Sequence, residues 1–298
     1  MLGRYCRDLT RVVLETGPLS AFLYHGLAVR DVPVECICAR HAKGALSVRI
    51  NKSDVHDAEG LAQLARTGWF KRVHMKASTT HFDRAAIRIR AQLITARTAM
   101  ANQLRGLLKL FGLRLGSARA PAKRNERLVA LYAQRPDVEA LFAPLITSME
   151  AIEAQLRASD RMLEKRAASD PVCTRLMTAP GIGPITALTY TVSIEDPHRF
   201  ARGEDVGAYA GLVPRRSQSG ERDTQGHISK AGDPMLRRSL YEAANIILTR
   251  VKRPFALQQW GRKMAEAKGS KRAKVAVARK LAALLHSLGL NETEFRWA

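Results

Sequence analysis

Residues 11–39 read RVVLETGPLSAFLYHGLAVRDVPVECICA. The apolar run at 11–15 stops at a Thr-Gly-Pro sequence, as a buried strand does when it reaches a turn. A helical stretch from Leu19 to Val29 follows, and Val32–Ala39 has the composition of a second strand. Strand, helix and strand in this order predict a βαβ unit with a parallel sheet. Glu15 then lies at the carboxyl edge of that sheet, where such folds bind ligands.

The charge of the chain is strongly one-sided. Its 298 residues include 49 Lys and Arg against 27 Asp and Glu, a formal net charge of +22. A field of this sign attracts polyanions, so nucleic acid is the first partner to consider. No apolar stretch is long enough to span a bilayer and no secretory leader follows Met1, so we expect a cytoplasmic protein that does not contact membranes. The four cysteines form no CxxC pair and no zinc pattern, and we expect reduced thiols.

A group of carboxylates lies near the start of the next predicted helix. Ser53 or Asp54 is suited to cap that helix, and Asp54 and Asp57, three residues apart, share one face. Together with Glu15 they form an oxygen-rich set of the kind that Mg²⁺ prefers. The alternative is a helix N-terminus whose acids suit its dipole and hold no metal.

Two long helices are predicted for the middle of the chain. Residues 71–127 contain fourteen Lys and Arg and two acids, and apolar residues at helical spacing predict one basic helix over about Asp83–Leu115. After a break at Leu115–Lys123, a second helix is predicted over Pro136–Ala168, with a seam typical of a coiled coil. We expect the pair to form a stalk or a dimerisation arm, and a domain boundary near residues 169–171.

Residues 176–188, LMTAPGIGPITAL, match the turn between the two short helices of a helix-hairpin-helix module. In such a turn, backbone N–H groups beside Gly181 and Gly183 face a DNA phosphate without reading the base sequence. An ordinary tight turn between two helices remains the alternative.

The stretch Gly211–Leu240, GLVPRRSQSGERDTQGHISKAGDPMLRRSL, carries the candidate nucleophile. It has no apolar period, so we expect mostly loop, followed by a helix that begins at Asp233-Pro234. A serine among arginines can attack phosphorus, because the cations stabilise the charge that gathers on the phosphate oxygens. The candidate nucleophiles and phosphate-binding cations are Ser217, Ser219, Arg215, Arg216, Arg222 and Lys230. A solvated basic turn is the alternative.

The last helix is predicted over Ser270–Leu290, with one apolar side. The first half of this helix carries five cations, Lys271, Arg272, Lys274, Arg279 and Lys280. Such a helix can lie along a phosphate backbone, and a solvated outer face is the alternative.

Five short motifs occur along the chain: LETG at 14–17, KSDVHDA at 52–58, APGIGPITA at 179–187, AYAGLVPRRSQSG at 208–220 and ISKAGDPMLRRSL at 228–240. In this order they resemble the transposases of the IS110 family, including its IS1111 branch. The resemblance implies an α/β plus α architecture in three parts. These are a RuvC-like (RNase H-like) βαβ domain at 1–70, a basic helical coiled-coil linker at 71–168 and a mostly helical C-terminal transposase domain with the helix-hairpin-helix-like segment at 169–298.

The resemblance also implies roles for single residues. Glu15 matches the glutamate of the family's DEDD metal site, Asp54 and Asp57 match its paired aspartates, and Mg²⁺ is the implied cofactor. Ser219 matches the reactive serine, with Ser217 as the fallback. The implied reaction is strand cleavage and exchange through a covalent phosphoserine. The implied partners are DNA of the element ends and the target, a structured guide RNA and further copies of the chain joined through the linker, in a bacterial nucleoid.

The sequence departs from the family at its first aspartate, which lies on an apolar strand well before the glutamate. Only fourteen residues precede Glu15. We therefore expect a truncated RuvC-like domain without the family's first strand and first aspartate, and we expect the family's function, with the activity of this chain left open. The alternatives are a catalytically dead remnant that binds DNA or RNA, and a helix-hairpin-helix structure-specific nuclease.

Overall fold

The protein is mostly helical, with two small two-stranded sheets. The computed structural model describes residues 9–47, 53–116, 120–133 and 135–297. It divides into two compact units, 1–82 and 83–298. The predicted α/β plus α composition is confirmed at this level. In the described ranges, no helix is both long and apolar enough to cross a bilayer.

The first unit contains the predicted βαβ arrangement. Strand β1 (Val12–Glu15), helix α1 (Ser20–Ala28) and strand β2 (Val34–Ile37) follow one another, and the two strands pair in parallel. Glu15 is paired with Ile37 in this register, so it lies at the carboxyl edge of the strand pair. The side chain of Glu15 is exposed at that edge.

Two further helices complete the small core of the first unit, α2 (Ala39–Leu46) and α3 (Asp54–Thr67). They meet at Gly60, where any side chain would collide with that of Leu46. The apolar residues that fill this core are Ile37, Ala42 and Leu64, with Val13, Ala45, Leu61 and Phe70 around them.

The two predicted long helices are confirmed, and an additional helix lies between them. Helix α4 (Ser78–Leu108) begins in the first unit and continues into the second, and a 3-10 turn follows it. Helix α6 (Pro136–Ala168) has the predicted bounds. The break predicted at Leu115–Lys123 is too long, because helix α5 begins at Pro121, whose fixed φ suits a first helical position, and ends at Tyr132. The three helices share a core of Leu104, Leu108, Leu115, Leu128, Tyr132, Val138, Phe142 and Met149.

A buried ion pair joins α5 to α6. Arg124 donates to both carboxylate oxygens of Glu153, at 2.6 and 3.3 Å. The two side chains are 6% and 7% exposed. A buried charge is tolerated only when it is paired, so each residue makes the other necessary.

Six helices build the C-terminal part of the second unit: α7 (Pro171–Met177), α8 (Pro184–Ile194), α9 (Gly203–Tyr209), α10 (Pro234–Thr249), α11 (Ala256–Lys268) and α12 (Ser270–Leu290). Helix α12 has the predicted bounds and contributes Val277, Leu281 and Leu285 to a core that also includes Ile87 of α4 and Leu163 of α6. The ends of the long helices therefore pack with the C-terminal helices. The described contacts divide the chain into two units, with the boundary between residues 82 and 83. The division into three segments stays a prediction.

The described cysteines, Cys36, Cys38 and Cys173, are free thiols, and Cys6 lies outside the described residues. Burial raises the pKa of the Cys173 thiol to about 11. This thiol is therefore protonated at neutral pH and a poor nucleophile.

Candidate active site and nucleic-acid interface

The stretch that contains both candidate serines is a β-hairpin, and the prediction of a loop was wrong. Strand β3 (Pro214–Ser219) pairs in antiparallel fashion with β4 (Arg222–Ile228). Gly220 and Glu221 form the turn, and Gly220 has φ +55°. Glycine at the first of two central positions is the preference of a type II′ hairpin turn, which matches the twist of the strands.

The pairing register sorts the hairpin side chains onto two faces. Ser219 is paired with Arg222, and Ser217 with Thr224, so these four share one face. The opposite face carries the pairs Gln218 with Asp223 and Arg216 with Gln225. Arg216 is next to Ser217 in the sequence, but successive side chains of a strand point to opposite faces. Arg216 therefore does not share the face of the two serines.

Arg216 makes a two-point ion pair with Asp223 on its own face. Its Nε and Nη2 donate to the two carboxylate oxygens at 2.9 and 2.7 Å. The hydrogen bond with Asp223 raises the pKa of Arg216. Arg222 forms no ion pair with a described acid, so it is the cation of the serine face whose charge is free for a phosphate.

Every residue from Pro214 to His227 is exposed to solvent. The hydroxyl groups of Ser217 and Ser219 are therefore accessible, and no core packing restrains the tip of the hairpin. Arg215 lies at an irregularity of the ladder and donates to the carbonyl of Ser229 at 3.4 Å. Lys230, beyond the end of β4, is exposed and has φ +52°.

Two glycines hold the base of the hairpin against the body of the unit. Gly211 has φ +70°, and a side chain there would meet the backbone of Ala231. A side chain at Gly232 would collide with the carbonyl oxygen of Tyr209. Arg237, which no sequence motif identified as a functional residue, donates through Nη1 to the carbonyls of Ala210 and Lys230, at 2.9 and 3.3 Å. These contacts fix where the hairpin leaves the core.

Asp233 connects the end of the hairpin to the long basic helix. One carboxylate oxygen caps α10 by accepting from the N–H groups of Met235 and Leu236, at 2.9 and 3.4 Å. The other accepts from Arg84 of α4 at 2.8 Å and from the Ser193 hydroxyl at 3.3 Å. Burial tends to raise the pKa of Asp233, but the Arg84 guanidinium and the helix N–H groups outweigh burial and lower it. The charged carboxylate is thus held in place.

The predicted turn between two short helices is confirmed as the connection between α7 and α8. Its two glycines have different surroundings. Gly181 has φ +81°, and a side chain there would press on Ile247 and on the carbonyl oxygen of Ala243, so this glycine is required by packing on α10. Gly183 is exposed, precedes the first turn of α8 and has no atom in the way of a side chain. Of the two, Gly183 is the one that borders an open helix N-terminus.

The three candidate metal ligands lie in the first unit. Asp54 and Asp57 occupy the first turn of α3, whose N-cap Ser53 accepts from the N–H of His56 at 3.2 Å. Helix α3 packs against β1, which ends at Glu15. Three carboxylates suit Mg²⁺ by their chemistry. Within the described ranges, however, no three His, Cys, Asp or Glu side chains come together as a metal-binding group, so the set is not assembled in this structure.

Comparison with known proteins places the chain in a family. A model of IS110-type DEDD transposases, described as Transposase, matches residues 3–112, and one described as Transposase IS116/IS110/IS902 family matches residues 173–260. The transposase for insertion sequence element IS1111A of Coxiella burnetii is 30% identical over 291 residues, covering 96% of this chain and 79% of that protein. The chain belongs to the IS110 family of transposases.

Two further relatives of this IS110-family transposase have the same level of identity. A probable family 20 transposase of Pseudomonas aeruginosa is 30% identical over 84% of this chain and 75% of its own length. The transposase for insertion sequence element IS1328 of Yersinia enterocolitica is 30% identical over 68% of this chain and 61% of its own length.

The two family models cover most of the candidate residues of this IS110-family transposase. The match at 3–112 includes Glu15, Asp54 and Asp57, and the match at 173–260 includes the α7–α8 turn and the hairpin with Ser219. Helix α12 lies beyond both matches.

Proposed function

We propose that this IS110-family transposase cleaves and rejoins DNA strands through Ser219, in a reaction that depends on Mg²⁺. The observation that supports it is the hairpin tip, where the exposed Ser219 is paired with Arg222, a cation that forms no ion pair with a described acid. A guanidinium beside the attacked phosphate stabilises the charge that develops on its oxygens.

The chemistry of the proposed step is a transesterification. The Ser219 oxygen forms a bond to phosphorus as its proton leaves, and the bond from phosphorus to a deoxyribose oxygen breaks, so that oxygen leaves as a hydroxyl. A hydroxyl of another strand then displaces the serine in the reverse sense, which joins the new strand and restores Ser219. Neither of these two steps is a hydrolysis, so one phosphoester bond is exchanged for another each time.

Glu15, Asp54 and Asp57 are the residues proposed to hold Mg²⁺, in a RuvC-like domain. A bound divalent cation would neutralise phosphate charge and orient the scissile bond. The fourth carboxylate of a DEDD set is not assigned to a residue of this chain. The proposed partners are DNA of the element ends and target, a structured guide RNA and further copies of the chain.

The test is covalent capture of labelled element-end DNA by the purified chain, in Mg²⁺ and in EDTA. We expect an adduct that survives denaturation, requires Mg²⁺ and is lost in Ser219→Ala. Ser217→Ala, on the same face two residues away, is the matched control and retains the adduct. An adduct that persists in Ser219→Ala and disappears in Ser217→Ala would assign the chemistry to the fallback serine, and product ends released without attached protein would point to a hydrolytic nuclease.

A further inference from the structure

The last part of the chain carries many cations and almost no acids, outside the candidate active site. Residues 250–280 contain eleven Lys and Arg and one acid, Glu266. Ten of the eleven are exposed, and Lys274 is half-buried. Among the described residues, none of the eleven forms an ion pair with an acid. These charges are therefore not neutralised by acids of the fold, although Arg253 and Lys280 lie over the rings of Trp297 and Trp260.

Three of the five cations of α12 lie on its outer side. Helix α12 buries Val277, Leu281 and Leu285 on the opposite side, while Arg272, Arg279 and Lys280 are exposed. Arg272 and Arg279 are seven residues apart, a rise of about 10 Å along the helix axis. On one strand of a DNA duplex this corresponds to about three steps of 3.4 Å.

Neighbouring helices flank this outer side and hold the long side chains. The stem of Arg279 lies against Gly207 of α9, where an added side chain would touch its Cγ. The ammonium group of Lys280 lies 4.2 Å from the ring centroid of Trp260 on α11. Lys263, one turn further along α11, is also exposed. Helices α11 and α12 thus carry a group of cations, with one aromatic ring, that we call the α12 surface: Trp260, Lys263, Arg272, Arg279 and Lys280.

The position of these cations is unfavourable for the free protein. The first turn of α12 has no acid and contains Lys271 and Arg272. The N-terminal end of a helix carries the positive end of its dipole, so cations there repel it. A bound polyanion relieves both this repulsion and the repulsion among the cations.

We propose that the α12 surface binds the sugar-phosphate backbone of duplex DNA without reading its sequence. A single-stranded ligand is held largely by bases stacked on open aromatic faces, and one face of Trp260, the aromatic ring of this surface, is covered by Lys280. A duplex needs only cations spaced along its backbone, and arginines are suited to phosphate oxygens. DNA is the duplex that a transposase handles. This surface is separate from the Ser219 hairpin, and its role does not depend on the chemistry proposed there.

The experiment measures DNA binding by the full chain in EDTA, where no strand chemistry interferes. A short labelled duplex of arbitrary sequence is titrated across a series of salt concentrations. The test variant is Arg272→Gln/Arg279→Gln/Lys280→Gln, since glutamine keeps the first two methylene groups of each side chain, including the Cγ position that lies against Gly207 of α9. The control is Arg157→Gln/Arg161→Gln/Lys165→Gln, which removes the same charge from exposed positions of α6.

We expect the test variant to bind the duplex at least about tenfold more weakly at low salt. The slope of log K against log salt concentration should also become smaller in magnitude by about 2.7, because each of the three lost phosphate contacts removes about 0.9 from it. The α6 variant should bind as the wild type does. An unchanged slope in the test variant, or an equal loss in the α6 variant, would overturn the proposal. So would a loss confined to single-stranded DNA or to duplex RNA.

Circular dichroism melting establishes that each variant is folded. Should the triple variant unfold, Arg272→Gln/Arg279→Gln leaves the contact of Lys280 with Trp260 intact, and its slope is expected to be shallower by about 1.8. A folded double variant with the wild-type slope contradicts the proposal.

Discussion

Ser219 is paired with Arg222 directly across the two-residue turn of the β3–β4 hairpin. Side chains paired in this way share one face, with their Cβ atoms about 5 Å apart. Arg216, which is as close to Ser219 in sequence as Arg222 is, lies on the opposite face in an ion pair with Asp223. The register therefore distinguishes two arginines that the sequence alone could not separate.

Arg222 and Arg216 should contribute differently to strand cleavage. We expect Arg222→Gln to slow formation of the covalent adduct by at least about tenfold, since a cation beside the developing charge is lost. Arg216→Gln removes the same charge from the other face and should slow it much less. Single-turnover kinetics on labelled DNA measure both rates. Equal loss in the two variants would show that net charge, and not register, governs the step.

The base of the hairpin should not tolerate a side chain at Gly232. An added methyl group meets the carbonyl oxygen of Tyr209 and the backbone of Gly211, which cannot move aside easily. We expect Gly232→Ala to lower the free energy of unfolding by about 2 kcal/mol or more, as overpacking does. Gly226→Ala, where the new atom makes only ordinary contacts, is the control and should leave stability within about 0.5 kcal/mol. Urea denaturation measures the free energy of unfolding of the two variants. Equal values would contradict the close contact between Gly232 and the backbone at Tyr209.

The pair of Arg84 and Asp233 should make stability depend on pH. The pKa of Asp233 is lowered in the folded protein, so its contribution is complete above the unfolded-state value of about 4 and is lost as pH falls through the lower folded value. At neutral pH we expect Asp233→Asn to cost about 2 kcal/mol, because Arg84 remains largely buried without its partner. The difference from wild type should shrink as pH falls below about 4.

Asp170→Asn is the control for that experiment. Asp170 precedes Pro171 and caps α7 as Asp233 precedes Pro234 and caps α10, but it forms no ion pair with a described residue. Asparagine is also a good N-cap, so this variant should cost only a few tenths of a kcal/mol. A loss as large as that of Asp233→Asn would mean that capping, and not the pair with Arg84, carries the effect.

The buried pair of Arg124 and Glu153 should be costly to break and cheap to replace. We expect Glu153→Gln to lower the free energy of unfolding by about 3 kcal/mol, since it leaves the guanidinium buried without a countercharge. The double variant Arg124→Met/Glu153→Leu removes both charges and should lie within about 1 kcal/mol of wild type. Denaturation curves test this, and a double variant less stable than Glu153→Gln would contradict it.

Elements that bury one apolar side could be predicted from the sequence. Helices α6 and α12 have the predicted bounds, and the parallel pairing of β1 with β2 follows from a strand, helix and strand order. The β3–β4 hairpin could not be found in this way, because both of its faces are exposed and polar, so there is no alternation to detect. The remaining signal was Gly220 followed by Glu221, the residue order of a type II′ turn.

Contacts between distant residues were beyond the reach of the sequence. Arg84 and Asp233 are 149 positions apart, and only the packing of α4 near α10 brings them together. The separate roles of Gly181 and Gly183 were equally hidden, since the first depends on Ile247 of α10. The motifs identified the family and the candidate serine, whereas the face on which each arginine lies required the register of the strands.

The most direct test of the proposed chemistry is to locate the atom that carries DNA. The adduct formed by the full chain with element-end DNA is digested with nuclease and protease, and the peptide that retains a nucleotide phosphate is sequenced by mass spectrometry. We predict that the phosphate is attached to Ser219, as the proposed chemistry requires. Attachment to Ser217 or to any other residue would contradict it.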